Sequence, residues 1–165
     1  GNNIYGEGAH TTLDEVVVKA LRDKGLTLAT AESCTGGMLS SRIVDVPGCS
    51  DVFLEGNVTY SNEAKIRTLG VNPETLNKYG AVSKETAGEM ALGVCKRTGA
   101  DVGVSITGIA GPDGGTLEKP VGLVFIGLCI KGEVTVNQFN YKGNRERIRG
   151  RACMAALDII RRALG

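Results

Sequence analysis

Histidine is nearly absent from this chain, and its scarcity argues against the commonest hydrolytic mechanisms. The single histidine, His10, lies in a polar and glycine-rich opening segment. Serine and cysteine triads rely on a histidine to accept the proton of the nucleophile. Covalent chemistry in this chain would therefore need another general base, and a lysine with a lowered pKa is one candidate.

The cysteines lack the spacing of a disulfide framework or a zinc site. They are odd in number and widely separated, and no C-x-x-C pair occurs among Cys34, Cys49, Cys95, Cys129 and Cys153. With one histidine beside them, they offer no convincing set of metal ligands. We therefore expect reduced thiols, no metal ion and no cofactor.

Long hydrophobic runs and a surplus of one charge are also missing. The longest apolar stretch, Val121–Ile130, is far shorter than the ~20 residues of a membrane-spanning helix, and no signal-peptide pattern opens the sequence. The 19 basic and 18 acidic residues give a formal net charge of +1, which provides no field to attract nucleic acid or an anionic membrane. We expect a cytoplasmic protein that acts on a small molecule at a local site.

Glycine is abundant, and the chain length fits one domain. There are 24 glycines in 165 residues, about twice the usual ~7%, which indicates many turns or close approaches of the backbone to a ligand. Residues 1–11 show no periodicity and are predicted to be a tail or an interdomain linker. Residues 12–165 are predicted to form a single domain, which opens with a helix capped by the T-x-x-E box of Thr12 and Glu15.

Helical and strand-like patterns alternate along the rest of the chain. Strands are predicted at Leu26–Ala31, Phe53–Tyr60, Asp101–Thr107, Val121–Ile130 and Glu133–Asn140. Lys131 and Gly132 are predicted to form a hairpin turn between the last two. Helices are predicted at Met38–Val44, after Pro73 and from about Asn144 to Leu164. A short helix capped by Asn62 is predicted through Leu69, and a longer one capped by Ser83 is predicted to about Arg97. Such alternation predicts an α/β fold with one mixed sheet and helices packed on its faces.

Ser33 lies where the first of these strands turns into a helix. It is followed by Cys34, Thr35, Gly36 and Gly37, and the two glycines would allow a ligand to approach the backbone. N–H groups at the start of a helix can stabilise an oxyanion. A serine or threonine here could equally serve as a helix cap. Cys34 is a rival nucleophile, although no histidine is at hand to generate its thiolate.

Lys65 follows the second strand and falls in the first turn of a predicted helix. The positive end of the helix dipole, together with partial burial, would lower the lysine pKa and favour the neutral amine. A neutral lysine can accept the proton of a serine hydroxyl. Tyr60, at the end of the preceding strand, could relay or orient that proton. A solvated lysine and a packed tyrosine are the structural alternatives.

A glycine-rich loop and a group of arginines supply candidate ligand contacts. Thr107 and Gly108 open a loop that holds four glycines through Gly115, at the end of a strand, where α/β folds place ligands. The loop matches neither G-x-G-x-x-G nor a Walker A sequence; its amides could form an anion nest or simply a long turn. The start of the last helix carries Arg145, Arg147, Arg149 and Arg151. Two of these facing inward could hold a phosphate, and solvated charge is the alternative.

Three segments, in this order along the chain, resemble the CinA C-terminal family. They are Ala31–Gly37, Val58–Lys65 and Ser105–Gly115, and the similarity extends from about Leu13 to Leu164. The family includes nicotinamide-nucleotide amidases of the PncC type. The resemblance implies deamidation of nicotinamide mononucleotide to nicotinate mononucleotide and ammonia, without a metal, in pyridine-nucleotide recycling.

The resemblance also implies roles for individual residues. It places the nucleophile at Ser33, the lysine base at Lys65 and a supporting tyrosine at Tyr60. The implied substrate-binding residues are Thr35, Gly36, Gly37, Thr107, Gly108 and Arg145. Among these, Arg145 would face the phosphate of the nucleotide.

Two other functions stay open at this point. The same loops and arginines would suit a nucleotide-binding or regulatory module without catalysis, and Cys34 would suit a cysteine amidase. Residues 3–8 also resemble the linker that precedes this domain in two-domain CinA proteins, so we expect the chain to be the C-terminal half of one. The partner domain would then be similar to molybdopterin-binding folds. Self-association is left open.

Overall fold

The computed structural model describes residues 11–165, which form one five-stranded sheet with helices on both faces. The predicted tail or linker lies outside the described residues except for Thr11, and so does His10. The strands are β1 (Leu28–Glu32), β2 (Phe53–Val58), β3 (Val102–Gly108), β4 (Leu123–Ile130) and β5 (Glu133–Asn140). The helices are α1 (Leu13–Lys24), α2 (Met38–Val44), α3 (Asn62–Leu69), α4 (Pro73–Tyr79), α5 (Lys84–Thr98) and α6 (Arg145–Leu164).

The sheet is mixed, with the strand order β2-β1-β3-β4-β5. β1 pairs in parallel with β2 and β3, whereas β3 with β4 and β4 with β5 are antiparallel. Lys131 and Gly132, with φ angles of 50° and 87°, form the tight turn between β4 and β5 that the sequence predicts. The predicted fold class, one mixed α/β sheet with helices packed on its faces, is confirmed. Within residues 11–165, each helix is too short or too polar to span a membrane.

Two hydrophobic cores cover the two faces of the sheet. On one face α1, α2 and α6 bury Leu21, Ile43 and Leu157 completely. On the other face α3, α4 and α5 pack around Leu69 and Met90. β1 lies between the cores, and all of its residues are buried. The residue that follows β1 therefore emerges from the centre of the sheet.

Helix starts follow side-chain caps that are visible in the sequence. Thr12, Ser61, Ser83 and Asn144 each accept a hydrogen bond from an N–H of the following first turn. α3 therefore begins at Asn62, with Ser61 as its cap, whereas the sequence analysis assigned the cap to Asn62. Serine and asparagine are about equally good N-cap residues, so the local sequence does not show whether Ser61 or Asn62 is the cap.

Three strands differ from their predicted bounds at ends that shape the site, and one of them, β3, ends at Gly108, one residue later than predicted. β1 ends at Glu32, one residue later than predicted, so Ser33 follows it directly. β2 ends at Val58, two residues earlier than predicted. The chain leaves the sheet there because the carbonyl groups of Thr59 and Tyr60 turn toward a buried amine instead of a neighbouring strand.

α3 is seated against α5 at a glycine. A Cβ atom at Gly93 would lie 1.9 Å from the carbonyl oxygen of Leu69, which is far closer than real Cβ atoms come to a backbone. Only a residue without a side chain permits this approach. The contact brings α3 close to the sheet, and α3 carries Lys65.

Candidate active site

The carboxyl ends of β1 and β3 meet at one edge of the sheet, and the candidate site lies there. Ser33 follows β1, and its N–H donates to the carbonyl of Ile106 in β3 at 2.9 Å. Thr107 and Gly108 end β3 itself. Open α/β sheets bind ligands in the crevice outside the carboxyl ends of their strands. The sheet thus brings together two segments that are far apart in sequence.

Lys65 projects from the start of α3 into this edge and is completely buried. Its Nζ lies 3.1 Å from Ser33 Oγ, 2.8 Å from the Thr59 carbonyl oxygen and 3.0 Å from the Tyr60 carbonyl oxygen. The backbone between β2 and α3 therefore contacts the amine through two carbonyl groups. Ser33 contacts it through its hydroxyl group.

Burial lowers the pKa of Lys65 from its ordinary 10.5 to about 8, because the charged ammonium form loses its hydration. The neighbouring Cys34 thiol opposes this shift to a smaller extent. Lys65 takes part in none of the ion pairs within residues 11–165. No carboxylate therefore holds the amine in its charged form.

The three oxygen atoms around Nζ can accept the three N–H groups of the charged amine, and they also accommodate a neutral amine, which has two N–H groups and one lone pair. Carbonyl oxygens only accept hydrogen bonds, whereas a serine hydroxyl can also donate one. The carbonyls of Thr59 and Tyr60 can take both N–H groups, which leaves the lone pair for the hydroxyl hydrogen of Ser33. This arrangement allows Lys65 to remove the Ser33 proton.

The phenol of Tyr60 does not contact Lys65; the tyrosine reaches the lysine only through its carbonyl oxygen. Tyr60 is 62% exposed, and its hydroxyl lies 3.4 Å from Nη2 of Arg145. The structure thus brings the predicted tyrosine to the site. A relay of the serine proton through the phenol, one of the roles considered from the sequence, has no hydrogen bond to support it.

A cavity of about 240 Å³ opens onto the serine and the lysine. Its lining comprises Ser33, Cys34, Tyr60, Lys65, Ala81, Val82, Thr107, Gly108, Ala110 and Arg145. A larger groove of about 750 Å³ lies elsewhere, beside the starts of α1 and α6. We assign the candidate site to the smaller cavity because it contains Ser33 and Lys65, the predicted nucleophile and base. The cavity combines polar and charged side chains with the apolar side chains of Ala81, Val82 and Ala110, a lining that suits a small polar ligand with an organic ring.

Three of the predicted substrate contacts line this cavity. Thr107 Oγ1 donates to the carbonyl of Ala81 at 2.9 Å, which ties β3 to the loop before α5. Gly108 packs so closely on β4 that a Cβ atom would lie 2.8 Å from Cγ2 of Val124. Arg145 Nη1 donates to the carbonyl of Gly111 at 2.7 Å, which brings the glycine-rich loop to the site.

The other three predicted contacts, Thr35, Gly36 and Gly37, form the turn after Ser33 and do not line the cavity. Thr35 is completely buried, and its hydroxyl has no hydrogen-bond partner among residues 11–165. The N–H of Gly36 donates to the Ser33 carbonyl at 3.1 Å and is therefore engaged within the turn. Among the described residues the N–H of Gly37 has no acceptor, so of these two glycine amides it is the available one.

Cys34 lines the same cavity, but its surroundings oppose the thiolate. Burial raises the pKa of the Cys34 thiol to about 11, and the Cys34 backbone amide and the Arg149 guanidinium lower it less. The described residues contain no histidine that could take its proton. The thiol therefore stays protonated near neutral pH, which disfavours a cysteine nucleophile.

Glu32 is a buried anchor of the site that the sequence analysis did not identify. Its carboxylate accepts hydrogen bonds from the N–H groups of Leu39 and Ser40 and from the Ser40 hydroxyl. These bonds tie the end of β1 to the first turn of α2, on either side of the Ser33 turn. No local motif predicts them, because the partners are seven and eight residues apart.

Arg149 is a second anchor, and the sequence pattern does not distinguish it from the other three arginines at the start of α6. It donates from Nε to the Cys34 carbonyl and from Nη2 to the Thr35 carbonyl, both at 2.9 Å. The available signal was its spacing of four residues from Arg145, which places both arginines on one face of α6.

The fold and the site together define a class of protein: a mixed α/β domain with a buried serine–lysine pair at the carboxyl edge of its sheet. The family model of the CinA C-terminal domain matches residues 10–164. The chain belongs to the CinA C-terminal domain family, as its motifs predict.

Curated relatives of this family extend well beyond the chain. A competence-damage inducible protein of Clostridium perfringens is 58% identical over 164 residues, which cover 99% of this chain and 40% of that protein. A CinA-like protein of Kosmotoga olearia has the same identity and coverage. The chain thus spans about 40% of the length of these relatives.

Solved structures of the family share the fold. A competence/damage inducible protein from Agrobacterium tumefaciens is 41% identical, with a TM-score of 0.88 over 92% of this chain and 94% of that one. A CinA superfamily protein from Klebsiella pneumoniae is 34% identical, with a TM-score of 0.90 over 92% of this chain and 95% of that one.

Proposed function

We propose that this domain is a nicotinamide-nucleotide amidase that hydrolyses the carboxamide of nicotinamide mononucleotide to nicotinate mononucleotide and ammonia. The observation that carries the proposal is the 3.1 Å contact between Ser33 Oγ and the completely buried amine of Lys65. We infer the substrate from the motifs shared with the CinA C-terminal family. We infer the mechanism from the geometry of Ser33 and Lys65.

The first half of the reaction acylates Ser33. The lone pair of Lys65 Nζ takes the hydroxyl proton while Ser33 Oγ bonds to the carboxamide carbon. The electron pair of the C=O bond moves onto its oxygen, which becomes an oxyanion beside Ser33. The electron pair on the oxygen then re-forms the C=O bond, and the C–N bond breaks as its nitrogen takes the proton from Lys65. The nitrogen leaves as ammonia, and the acyl group remains on Ser33 Oγ.

The second half of the reaction releases the acid. Neutral Lys65 accepts a proton from water, whose oxygen bonds to the acyl carbon. Ser33 Oγ leaves that carbon and recovers the proton from Lys65, so the enzyme returns to its starting state. Throughout both halves, the carbonyls of Thr59 and Tyr60 hold the amine against the serine.

The cavity accommodates the two ends of the nucleotide differently. The pyridine ring would enter between the apolar side chains of Ala81, Val82 and Ala110, which lie in the cavity wall. The phosphate would face Arg145, which also lines the cavity and contacts the exposed Tyr60 hydroxyl. Arginine binds phosphate oxygens through its planar fork of donors.

The test is to incubate the purified protein with nicotinamide mononucleotide and to quantify both ammonia and nicotinate mononucleotide. We expect equal amounts of the two products from the wild type. Ser33→Ala, which removes one oxygen atom, should lower turnover by at least ~10³-fold because the acyl-enzyme cannot form. Circular dichroism of the variant should match that of the wild type.

Two results would contradict the proposal. Turnover by folded Ser33→Ala at the wild-type rate would refute the role of the serine. A wild type that binds the nucleotide but forms neither product would identify the domain as a nucleotide-binding module, which is the alternative reading of the same loops.

A further inference from the structure

One face of α6 reaches two backbone segments of the candidate site. Arg145 and Arg149 lie one helical turn apart on this face. Arg145 bonds to the glycine-rich loop at Gly111. Arg149 bonds to two successive carbonyl groups, those of Cys34 and Thr35, in the turn that follows Ser33. α6 therefore braces the site from the side opposite to α3.

The two carbonyl groups that Arg149 binds belong to buried residues and have few other hydrogen-bond donors. Among the described residues, the Cys34 carbonyl has no other donor, and the Thr35 carbonyl has one more, the N–H of Met38 at 3.0 Å. A planar guanidinium supplies two donors in a fixed geometry, so it fixes both peptide groups relative to α6 at once. Arg149 itself does not line the cavity and would not touch a substrate.

The turn contains the residues that most need an external brace. Gly36 and Gly37 both have positive φ angles, 56° and 102°, and glycine is the residue that moves most easily between such conformations. A Cβ atom at Gly36 would lie 3.4 Å from Nη2 of Arg149, so the arginine packs directly over the glycine. The two glycines by themselves would not fix the conformation of this turn. The Arg149 side chain from α6 holds it in place.

We propose that Arg149 is a positioning residue, which fixes the Ser33 turn and thereby aligns Ser33 Oγ with the lone pair of Lys65. The inference rests on the proposed function for the reaction that Ser33 carries out. The alignment itself involves only Ser33 and Lys65 and does not depend on which substrate is bound. Misplacing a reacting group by about 1 Å can cost about 10²-fold in rate. Loss of Arg149 should therefore slow the chemical step at Ser33 and leave nucleotide binding unchanged.

The test is the rate at which a fluorophosphonate labels Ser33, followed by intact mass. In this reaction Ser33 Oγ bonds to phosphorus, fluoride leaves, and Lys65 accepts the hydroxyl proton, so the nucleotide is not required. Arg149→Met should label about 10²-fold more slowly, with the dissociation constant for nicotinamide mononucleotide changed by less than about two-fold. The matched control is Arg151→Met, an exposed arginine two residues later, which should label at the wild-type rate.

Wild-type labelling of folded Arg149→Met would overturn the inference. If that variant does not fold, Arg149→Lys takes its place, because lysine keeps the charge but lacks the two-nitrogen fork; slower labelling supports the inference and an unchanged rate overturns it. A wild type that is labelled at Ser33 but releases no ammonia from the nucleotide refutes the proposed substrate alone. A wild type that is not labelled at Ser33 refutes both proposals.

Discussion

Lys65 has no exposed surface, and the atoms within hydrogen-bond distance of its amine are three oxygens from the described residues. Burial of a lysine without a carboxylate partner normally costs stability, and the amine responds by losing its proton. That response is useful here, because a neutral amine beside a hydroxyl is a general base. In the proposed mechanism, the unfavourable burial of Lys65 thus provides the general base that a histidine provides in other hydrolases.

The rate of ammonia release should rise with pH through a midpoint near 8. Below that pH Lys65 is protonated and cannot accept the Ser33 proton. The measurement is kcat/KM for nicotinamide mononucleotide between pH 6 and 10. Lys65→Arg, which keeps a positive charge at every pH in this range, should be inactive throughout. A rate that is flat between pH 6 and 9 would contradict the role of Lys65 as base.

The stability of the fold should depend on pH through the same amine. Between pH about 8 and 10.5 the native state has lost the Lys65 proton while the unfolded state keeps it, so the contribution of Lys65 to stability rises with pH. Relative to Lys65→Met, the free energy of unfolding of the wild type should increase by up to about 1.4 kcal/mol per pH unit in this window. Urea titrations of both proteins at several pH values measure the difference. A difference that stays constant across the window would show that Lys65 titrates at its ordinary pKa.

Cys34 should be dispensable for turnover, because its thiol is buried and has its pKa raised to about 11. Cys34→Ala should keep kcat within a few-fold of the wild type, whereas the adjacent Ser33→Ala should lose it. Alkylation by iodoacetamide at pH 7 provides an independent check, since a protonated thiol reacts slowly. Loss of activity in a folded Cys34→Ala protein would instead favour the cysteine amidase.

At the scale of elements, the depth of Lys65 depends on how closely α3 approaches α5. Gly93→Ala should destabilise the fold by about 1–3 kcal/mol, because its Cβ atom would overlap the backbone of Leu69 and push α3 away. The matched control is Gly150→Ala in α6, where a Cβ atom meets nothing within 4 Å. That substitution should stabilise the protein by about 0.5–1 kcal/mol, since alanine favours a helix interior. Thermal unfolding of both variants measures the two changes in stability. Equal changes in Gly93→Ala and Gly150→Ala would contradict the prediction.

Most elements could be predicted because their signals are local. Capping side chains and apolar periodicity mark α1, α5 and α6, and the hairpin between β4 and β5 is visible in Lys131 and Gly132. Strand ends were less predictable, as at Val58, because the residues after it bond to a side chain from the next helix. The limit of the sequence reasoning is thus where a tertiary contact replaces a local one.

At the scale of the whole molecule, the sheet order explains why three distant motifs form one site. β1 lies beside both β2 and β3, so the ends of all three strands deliver Ser33, the segment before Lys65, and Thr107 to the same edge. The motif residues could be named from the sequence, but their distances could not. Glu32 and Arg149 escaped notice because each acts through partners on another element.

The most direct measurement of the central claim is the titration of the Lys65 amine itself. NMR of protein labelled with ¹³C at lysine Cε, with Lys65→Met to assign the signal, would follow its protonation between pH 6 and 11. A midpoint near pH 8 would establish that the neutral amine is well populated beside Ser33 from about pH 8 upward. A midpoint near the ordinary value of 10.5 would contradict the account, because the lysine would then be charged and unable to act as the base.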